Sequence, residues 1–448
     1  MTLRLHPDAI VETSTSPLLA KHQSWNRVRL GDIAEVKNGA AFKSAFFNSD
    51  EDGVPLIRIR DVGADGTDTW YSGEYEDDYL VAPGELVVGM DGDFRVARWP
   101  GPEALLNQRV CRLRVRAPHL YDGAFLYYVL GGYLDAVHAV TSAVTVKHLS
   151  SKTVQQLPLP LPPLTEQRRI VSAIEEHFTR IEAAVASLVT AADRLRVYDR
   201  AVRARAFDQD WPVVDLGDVA EIRGGIQKQP KRRPRDNPYP FLRVANVYRN
   251  RLDLEEIHEV ELFDGEIEQY RLHDGDLLVV EGNGSPSQIG RSAMWGDEIP
   301  ECVHQNHLIR VRPGDALRPR FLSYFWNSPA TADLLMSVAS STSGLYTLST
   351  GKLRNVPVPV PTLAQQDEVV ALLDEHDSRV ANLQMALDLG GRRATVLKTA
   401  TLADAFAGRL EPQDPGDEPA QVLLDRLARQ SGVRAPAAKK RTKLGVTS

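Results

Sequence analysis

Apolar residues recur every seven positions along one stretch near the middle of the chain. The repeating positions are Ile174, Ile181, Leu188, Leu195 and Val202, and further apolar residues follow four positions later at Phe178, Val185 and Ala192. This spacing is typical of the seam of a coiled coil. It predicts one helix from about 165 to 207, with Thr165 as its N-cap, and roughly 60 Å long at a rise of about 1.5 Å per residue.

A second, weaker copy of this seam lies near the end of the chain. It runs through Leu373, Val380 and Leu387 and continues at Ala394 and Thr401. Gly390 and Gly391 interrupt it, and two adjacent glycines cost a helix about 2 kcal/mol relative to alanine, so we expect a break, a kink or a loosened turn there. Neither helix is apolar all round, so each needs a partner. The simplest partner is the other helix, running antiparallel, and ordinary bundle packing within one domain is the alternative.

Other parts of the sequence are also duplicated. Residues 30–36 return as 216–222, residues 55–62 as 240–247, and residues 158–164 as 357–363. The offset between the copies grows from 186 at Leu30 to 199 at Pro158, so the second copy has gained about a dozen residues in its middle. This pattern predicts two similar globular parts, each followed by a long helix and related by a pseudo-twofold axis.

Short apolar runs bounded by Gly, Pro or Asp mark both globular parts, at about 25–157 and 211–356. Such runs are typical of strands joined by tight turns, and they lie at 57–59, 85–88, 111–115 and 276–280. Helical patterns follow at 124–139 and 320–338. The predicted fold class is therefore α+β, with an irregular twisted sheet in each globular part.

Composition and charge limit the possible functions. The chain has 448 residues, of which 43% are hydrophobic, and it has no apolar run long enough for a membrane helix. Its two cysteines, Cys111 and Cys302, predict neither a disulfide framework nor a zinc site, and they fit a reducing cytoplasm. The net charge of −7 argues weakly against nucleic acid. Basic residues nevertheless cluster locally, although such runs are also typical of solvated surfaces: Arg223, Lys228, Lys231, Arg232, Arg233 and Arg235, then Lys439, Lys440, Arg441 and Lys443.

No group of side chains predicts a catalytic site. Residues 236–239, Asp-Asn-Pro-Tyr, share only part of the Asn-Pro-Pro-Tyr loop of adenine methyltransferases and are more typical of a turn. Residues 282–286 lack the Lys-Ser/Thr pair of a phosphate-binding loop. His304 and His307 have no second pair of metal ligands beside them. We therefore expect a recognition module that is not an enzyme and has no metal site.

The order of globular part, proline-rich hinge and long helix, repeated once, resembles the specificity subunit of type I restriction-modification systems. The hinge at 157–171 reads Leu-Pro-Leu-Pro-Leu-Pro-Pro-Leu-Thr-Glu-Gln-Arg-Arg-Ile-Val. It is very similar to the family's junction between a target recognition domain and a conserved helix. Residues 363–366, Leu-Ala-Gln-Gln, are a divergent copy, and residues 405–410 and 418–424 resemble the family's C-terminus.

The resemblance implies two similar α/β target recognition domains, separated by two long antiparallel helices that form a coiled coil. It also implies the boundaries of six segments. These are an N-terminal tail (1–24), target recognition domain 1 (25–157), conserved helical region 1 (158–210), target recognition domain 2 (211–356), conserved helical region 2 (357–412), and a C-terminal helix with a basic tail (413–448).

The resemblance further implies a function. Each target recognition domain would bind one half of an asymmetric, split site in double-stranded DNA. The helices would dock two adenine methyltransferase subunits, and two restriction-translocase subunits would join in larger assemblies. The chain would have no cofactor of its own, because S-adenosylmethionine would bind to the methyltransferase subunits. The alternative is a duplicated coiled-coil scaffold that holds protein partners without reading DNA.

Polar loop residues at matching positions of the two copies are candidates for DNA contact. In the first copy they are Lys37, Lys43, Arg95, Arg98, Asn107, Gln108, Arg109, Thr145, Lys147 and His148. In the second copy they are Arg223, Gln227, Lys228, Arg232, Arg233, Asn283, Ser285, Ser287, Gln288, Arg291, Gln305, Asn306, His307, Ser343, Tyr346 and Thr347. For each of them, an exposed polar side chain or a strand-end hydrogen bond is the alternative. Arg58 and Arg243 are predicted to lie inside repeated strands and to be structural, pairing with Asp61 or another acid.

Overall fold

The computed structural model describes residues 6–141, 147–283, 288–338, 340–342 and 345–430. It divides into two compact units: unit 1 comprises residues 1–186 and 391–448, and unit 2 comprises residues 187–390. The two long helices are Leu164–Ala206 and Leu363–Phe406, and each contributes one part to each unit. The bounds predicted for the first long helix are correct to one residue at either end.

The globular part of unit 1 mixes short strands with helices. A four-stranded antiparallel sheet has the order Ala34–Asn38, Val110–Val115, Leu86–Gly89 and Val96–Arg98. A five-stranded sheet has the order Phe47–Asn48, Trp70–Tyr71, Val54–Ile57, Ala104–Leu106 and Leu80–Val81. Strand Asn26–Arg29 pairs with Pro158–Leu161, which begins the hinge. The shorter helices of unit 1 are Pro7–Thr13, Leu30–Ile33, Gly123–Val140, Ser151–Gln155 and Ala420–Gln430, with 3-10 turns at Pro17–Leu19, Ser44–Phe46, Ile59–Asp61 and Asp77–Tyr79.

Unit 2 repeats this framework. Its four-stranded sheet has the matching order Ala220–Gly224, Leu308–Pro313, Leu277–Val280 and Ser292–Met294, and Val213–Asp215 pairs with Pro357–Pro359. Smaller sheets join His258–Glu261, Pro238–Leu242 and Val303–His304, then Val247–Tyr248 and Arg251–Leu252, then Gly282–Asn283, Leu345–Thr347 and Ser340–Thr342. The helices are Leu216–Val219, Glu266–Tyr270, Pro319–Trp326, Pro329–Val338 and Thr350–Arg354, with 3-10 turns at Pro230–Arg232 and Val244–Asn246.

Each unit has a core in which the globular part packs on the long helices. In unit 1, Phe406 at the end of the second long helix packs edge-on against Phe125 of helix Gly123–Val140, with ring centroids 6.3 Å apart. In unit 2, Phe207 packs in the same way against Phe321 of helix Pro319–Trp326 at 5.5 Å. The two phenylalanines are 199 residues apart, the offset of the repeated hinge. The two copies therefore share tertiary contacts as well as sequence.

A buried glutamine ties each long helix to its own globular part. In unit 1, Gln167 Nε2 donates to the carbonyls of Leu120 and Pro162 at 3.0 and 2.9 Å, and its Oε1 accepts from the Asp122 amide at 2.7 Å. In unit 2, Gln366 Nε2 donates to the carbonyls of Ala316 and Pro361 at 2.9 Å each, and its Oε1 accepts from the Arg318 amide at 2.7 Å. Both side chains are fully buried. A primary amide is suited to this position because it supplies two donors and an acceptor at once.

The two long helices pack against each other, antiparallel, within each unit. In unit 2, Arg203 bonds to Asp377 at 2.5 Å and His376 to Asp199 at 2.9 Å, while Leu188 lies against Gly390. In unit 1, Lys398 pairs with Glu182 at 2.8 Å. The heptad positions form the less exposed side of each helix. Ile174, Leu195 and Leu373 are buried, and Ile181, Leu188, Val202, Val380 and Leu387 are half-buried.

Of the break, kink or loosened turn predicted at Gly390 and Gly391, the break is wrong. Helix Leu363–Phe406 runs through both glycines without interruption. The reason lies in its packing: a Cβ on Gly390 would come within 2.9 Å of Leu188 Cδ1 on the facing helix, whereas a Cβ on Gly391 would meet nothing within 4 Å. Gly390 thus permits a close approach of the two helices, and this contact offsets part of the propensity cost.

Three further local predictions need correction. Thr165 is not an N-cap, because the helix begins one residue earlier and the Thr165 hydroxyl donates to Asp417. The helix predicted over 320–338 is two helices, because Pro329 begins a new one. The strand predicted at 57–59 ends at Ile57, so Arg58 lies after it, where its backbone N–H donates to Asp61.

Arg243 likewise follows its strand, which ends at Leu242, rather than lying inside it. Its backbone N–H donates to Asn246 Oδ1 at 2.8 Å, and its guanidinium pairs with Glu256 at 3.3 Å. The acid that pairs with Arg243 is thus thirteen residues further along the chain.

We expect Gln167→Glu to destabilise the chain by about 2–4 kcal/mol, because a buried carboxylate would face two carbonyl oxygens that now accept hydrogen bonds. Gln155→Glu is the matched control, since Gln155 is exposed, and it should change stability by less than about 0.5 kcal/mol. Urea unfolding of the purified chain measures both values. Equal stability of the two variants would contradict the role assigned to the buried amide.

Candidate nucleic-acid interface

The two tripeptides predicted to contact DNA, 107–109 and 305–307, lie at the same place in the two units. Each follows a short strand and precedes the central strand of the four-stranded sheet. In unit 1 the amide of Asn107 donates to the carbonyl of Ile57 at 3.2 Å, and that of Gln108 to Ala40 at 2.7 Å. In unit 2 the amide of Gln305 donates to the carbonyl of Leu242 at 2.9 Å, and that of Asn306 to Ile226 at 3.0 Å. One main-chain framework thus holds two different sets of side chains.

A glycine makes this framework possible in each unit. A Cβ on Gly39 would lie 2.1 Å from the carbonyl oxygen of Asn107, and a Cβ on Gly225 would lie 2.2 Å from that of His304. No real side chain tolerates such a distance to a backbone atom, so only glycine lets the two segments approach.

In unit 1, Asp91 brings two of the predicted contact residues together. His148 Nδ1 lies 2.6 Å from Asp91 Oδ1, and Arg109 Nη1 donates to Asp91 Oδ2. The Asp91 side chain is 13% exposed, while those of Arg109 and His148 are 57% and 51% exposed. Burial acts to raise the pKa of the Asp91 carboxyl, but the hydrogen bonds from His148 and Arg109 outweigh it and hold that pKa below its ordinary value.

The backbone of Arg109 is left-handed, with φ of 72°. For a residue with a side chain this conformation costs roughly 1–2 kcal/mol. A solvent-exposed ion pair stabilises the folded chain by only about 0–1 kcal/mol. Stability alone therefore does not explain why an arginine is held here, which is typical of functional sites.

In unit 2 the equivalent place has a different composition. His307 Nδ1 lies 2.8 Å from Glu281 Oε2, and both side chains are partly exposed. His304, three residues earlier, is fully buried, and burial, reinforced by the charge of Arg310, lowers its pKa to about 3. The two histidines therefore have different environments, and only His307 faces solvent.

Most other cations among the predicted contact residues have a side-chain partner outside these two clusters. Lys37 pairs with Asp78, Arg95 with Asp93, Arg223 with Glu221, and Arg232 with Glu266. Arg98 stacks on Tyr127 at 4.9 Å, and Arg291 Nη2 donates to the Val244 carbonyl at 3.1 Å. Lys147 Nζ donates to the carbonyl of His138 at 2.7 Å.

The remaining predicted residues differ in exposure and in how far the structure describes them. Those with exposed side chains are Lys43, Gln108, Gln227, Lys228 and Arg233, while Asn107 is buried and Gln288, Gln305, Asn306 and Thr347 are half-buried. Asn283 and Tyr346 pair with each other through their strands, and their side chains are not described. Thr145, Ser285, Ser287 and Ser343 lie outside the described residues, as does the basic run at 439–443.

Sequence reasoning missed the residues that organise the two clusters. Asp91 and Glu281 both follow an apolar strand, but Glu281 is the counterpart of Met90, since Met90 and Glu281 make the same main-chain bond, to Arg109 and His307 respectively. The acids are thus one residue out of register, so that they do not match when the two copies are aligned. The available signal was an acid just beyond each buried strand.

No three His, Cys, Asp or Glu residues in the described part of the chain are grouped as metal ligands would be. No helix there is both long and apolar enough to cross a bilayer.

Comparison with known proteins identifies relatives over almost the whole chain. The family described as the type I restriction modification DNA specificity domain matches residues 22–189 and again residues 208–387. The EcoBI specificity subunit of Escherichia coli is 31% identical, covering 93% of this chain and 94% of its own length. The EcoKI specificity subunit of Escherichia coli strain K12 is 22% identical, covering 90% and 95%.

Two solved structures share the fold. One, from work on complex assembly and conformational transition of the type I R-M system, has a TM-score of 0.66 at 19% identity and covers 86% of this chain and 98% of its own. The HsdS subunit from Thermoanaerobacter tengcongensis has a TM-score of 0.56 at 19% identity and covers 87% and 98%.

We expect acid to destabilise unit 2 through His304. Its folded-state pKa of about 3 is below the ordinary value of 6.5, so the unfolded chain takes up a proton first as pH falls. The contribution of neutral His304 to the free energy of unfolding is therefore fully present above about pH 6.5. It is lost as the pH falls towards 3, by up to about 1.4 kcal/mol per pH unit. Urea unfolding from pH 7 to 4 should give a shallower pH dependence for His304→Gln than for the unchanged chain. His307→Gln controls for loss of a histidine, and a His304→Gln slope equal to that of the unchanged chain would refute the assignment.

Proposed function

The chain belongs to the family of type I restriction-modification DNA specificity subunits, and we propose that its two tripeptide sites read the two halves of a split DNA sequence. The observation that carries this proposal is the repeated framework with different side chains. Asn107, Gln108 and Arg109 occupy it in unit 1, and Gln305, Asn306 and His307 in unit 2. Equal frameworks with unequal side chains suit an asymmetric, bipartite target.

The side chains at both sites have the chemistry of base recognition. Bases display donors and acceptors at groove edges, and arginine, asparagine and glutamine bind them through paired hydrogen bonds. Except for Asn107, which is buried, the tripeptides supply such groups from loops that directly precede an inner strand of each four-stranded sheet, so the backbone that carries them is fixed before DNA arrives. In this proposal each unit selects the DNA sequence by placing these side chains against the bases, and it performs no chemistry itself.

As a specificity subunit the chain is not the catalytic component of its system. We propose that two adenine methyltransferase subunits dock on its long helices, bind S-adenosylmethionine, and modify an adenine flipped out of the duplex. Two restriction-translocase subunits would complete a larger assembly. The net charge of −7 supports a division of labour in which these partners neutralise much of the phosphate charge.

A coiled-coil scaffold without DNA readout is the weaker candidate. It accounts for the antiparallel helices, but it gives no reason for two variable tripeptides to be held by matching main-chain hydrogen bonds beside Gly39 and Gly225. Membership of a family of DNA specificity subunits also argues against it.

Replacing residues 25–157 with the matching part of a relative of different specificity should change one half of the methylated sequence and leave the other half unchanged. Sequencing of methylated bases in cells carrying the chain with its partner subunits measures this. Replacing residues 211–356 is the reciprocal control and should change the other half. A methylated sequence that stays the same after both replacements would exclude DNA reading by these domains.

The number of partners is tested separately. The proposal predicts two methyltransferase subunits for each copy of this chain, because the duplicated framework supplies two equivalent helix and hinge regions. The native mass of an assembly purified with coexpressed methyltransferase measures the ratio, and a single methyltransferase per chain in saturating excess would contradict it.

A further inference from the structure

We infer that Arg109, held in place by Asp91, recognises a guanine in the half-site read by unit 1. This inference rests on the proposed function and deepens it, since it names one base class and the residue that positions its reader. Asp91 is a positioning residue here, and Arg109 is the residue that would touch the base.

Arg109 retains most of its hydrogen-bonding capacity in the folded chain. A guanidinium has five N–H donors in a planar fork, and the bond to Asp91 is made by one nitrogen, Nη1. The side chain is 57% exposed, so the rest of the fork is open to solvent. Guanine presents two adjacent acceptors, O6 and N7, in the major groove, and arginine binds them through two parallel hydrogen bonds.

Asp91 limits the directions in which that fork can point. It lies just beyond the end of strand Leu86–Gly89, where its backbone forms an isolated bridge with His148, and one of its carboxylate oxygens is held by the His148 ring. His148 therefore holds Asp91 both through the backbone and through its ring, and the other carboxylate oxygen binds Arg109. An arginine anchored in this way loses less conformational entropy on binding a base than a free one.

The fold itself does not require this arrangement. Unit 2 has the same main-chain bonds around its tripeptide but has His307 in place of Arg109, and among the described residues His307 does not share the left-handed backbone. The strained arginine is thus a property of unit 1 and not of the common framework. This asymmetry is the expected result if the two copies have diverged to read different bases.

A contact with phosphate is the competing role for Arg109. A phosphate contact would strengthen binding to every sequence equally and would add about one unit to the salt dependence. A base contact would instead discriminate at one position. The two roles therefore give different results in a single experiment.

The experiment uses the full chain assembled with its methyltransferase subunits and a panel of DNA duplexes that carry each base at each position of the methylated sequence. In Arg109→Ala, preference for guanine at one position of the unit 1 half-site should fall roughly tenfold to a hundredfold, the range expected for one good bidentate contact. The other half-site should be unaffected. Asp91→Asn should reduce the same preference without weakening binding to unrelated DNA, because it removes a negative charge.

Arg116→Ala is the matched control. Arg116 is 63% exposed and pairs weakly with Glu35 at 3.8 Å, at the opposite end of strand Val110–Val115. It should leave base preference unchanged. Arg109→Lys keeps the charge but not the planar fork. Because lysine also donates to guanine O6 and N7, this variant should lose less of the guanine preference than Arg109→Ala and should retain binding to unrelated DNA.

Two results would overturn the inference. They are an unchanged base preference in Arg109→Ala, and a loss of binding in that variant that is spread equally over all sequences. Failure of the proposed function is recognisable separately, because the unchanged assembly would then show no sequence preference at all.

Discussion

The structure depends on a buried amide at the start of each long helix. Gln167 and Gln366 each make three hydrogen bonds that join the hinge, the helix and the segment preceding a helix of the globular part. A buried polar group must be satisfied or it costs stability, so the surrounding backbone has to keep its geometry. In each unit this bond set fixes how one long helix leaves the globular part, and a phenylalanine at the end of the other long helix, Phe406 or Phe207, packs on the same globular part.

Because the backbone of each globular part is held by these buried hydrogen bonds, the side chains of the loops between its strands can differ. Gly39 and Gly225 preserve the close backbone approach in both units, and the same main-chain bonds recur around both tripeptides. The side chains that leave this backbone differ at all three positions. Duplication therefore supplied two copies of a rigid support, and at the tripeptides the side chains differ while the main-chain bonds are the same.

The distribution of charge agrees with a division between residues that hold the fold and residues that read DNA. Many of the basic side chains in the globular parts are paired with acids or carbonyls, as Lys37, Arg223 and Arg232 illustrate. Paired cations neutralise phosphate less effectively, and the chain has a net negative charge. Such a surface favours selection of a sequence over general affinity for DNA, which is consistent with a subunit that works within a larger assembly.

The sequence by itself determined the two long helices, the duplication and the position of the variable tripeptides. Heptad spacing and repeated segments are visible along the chain because the periodic positions are those that pack. It did not show that Gly390 lies inside a continuous helix, since the explanation is Leu188, about two hundred residues earlier. Nor did it show that Asp91 organises Arg109 and His148. Such contacts form between residues distant along the chain and leave no periodic signal, so only the tertiary structure decided which polar groups are occupied by the fold and which remain available for recognition.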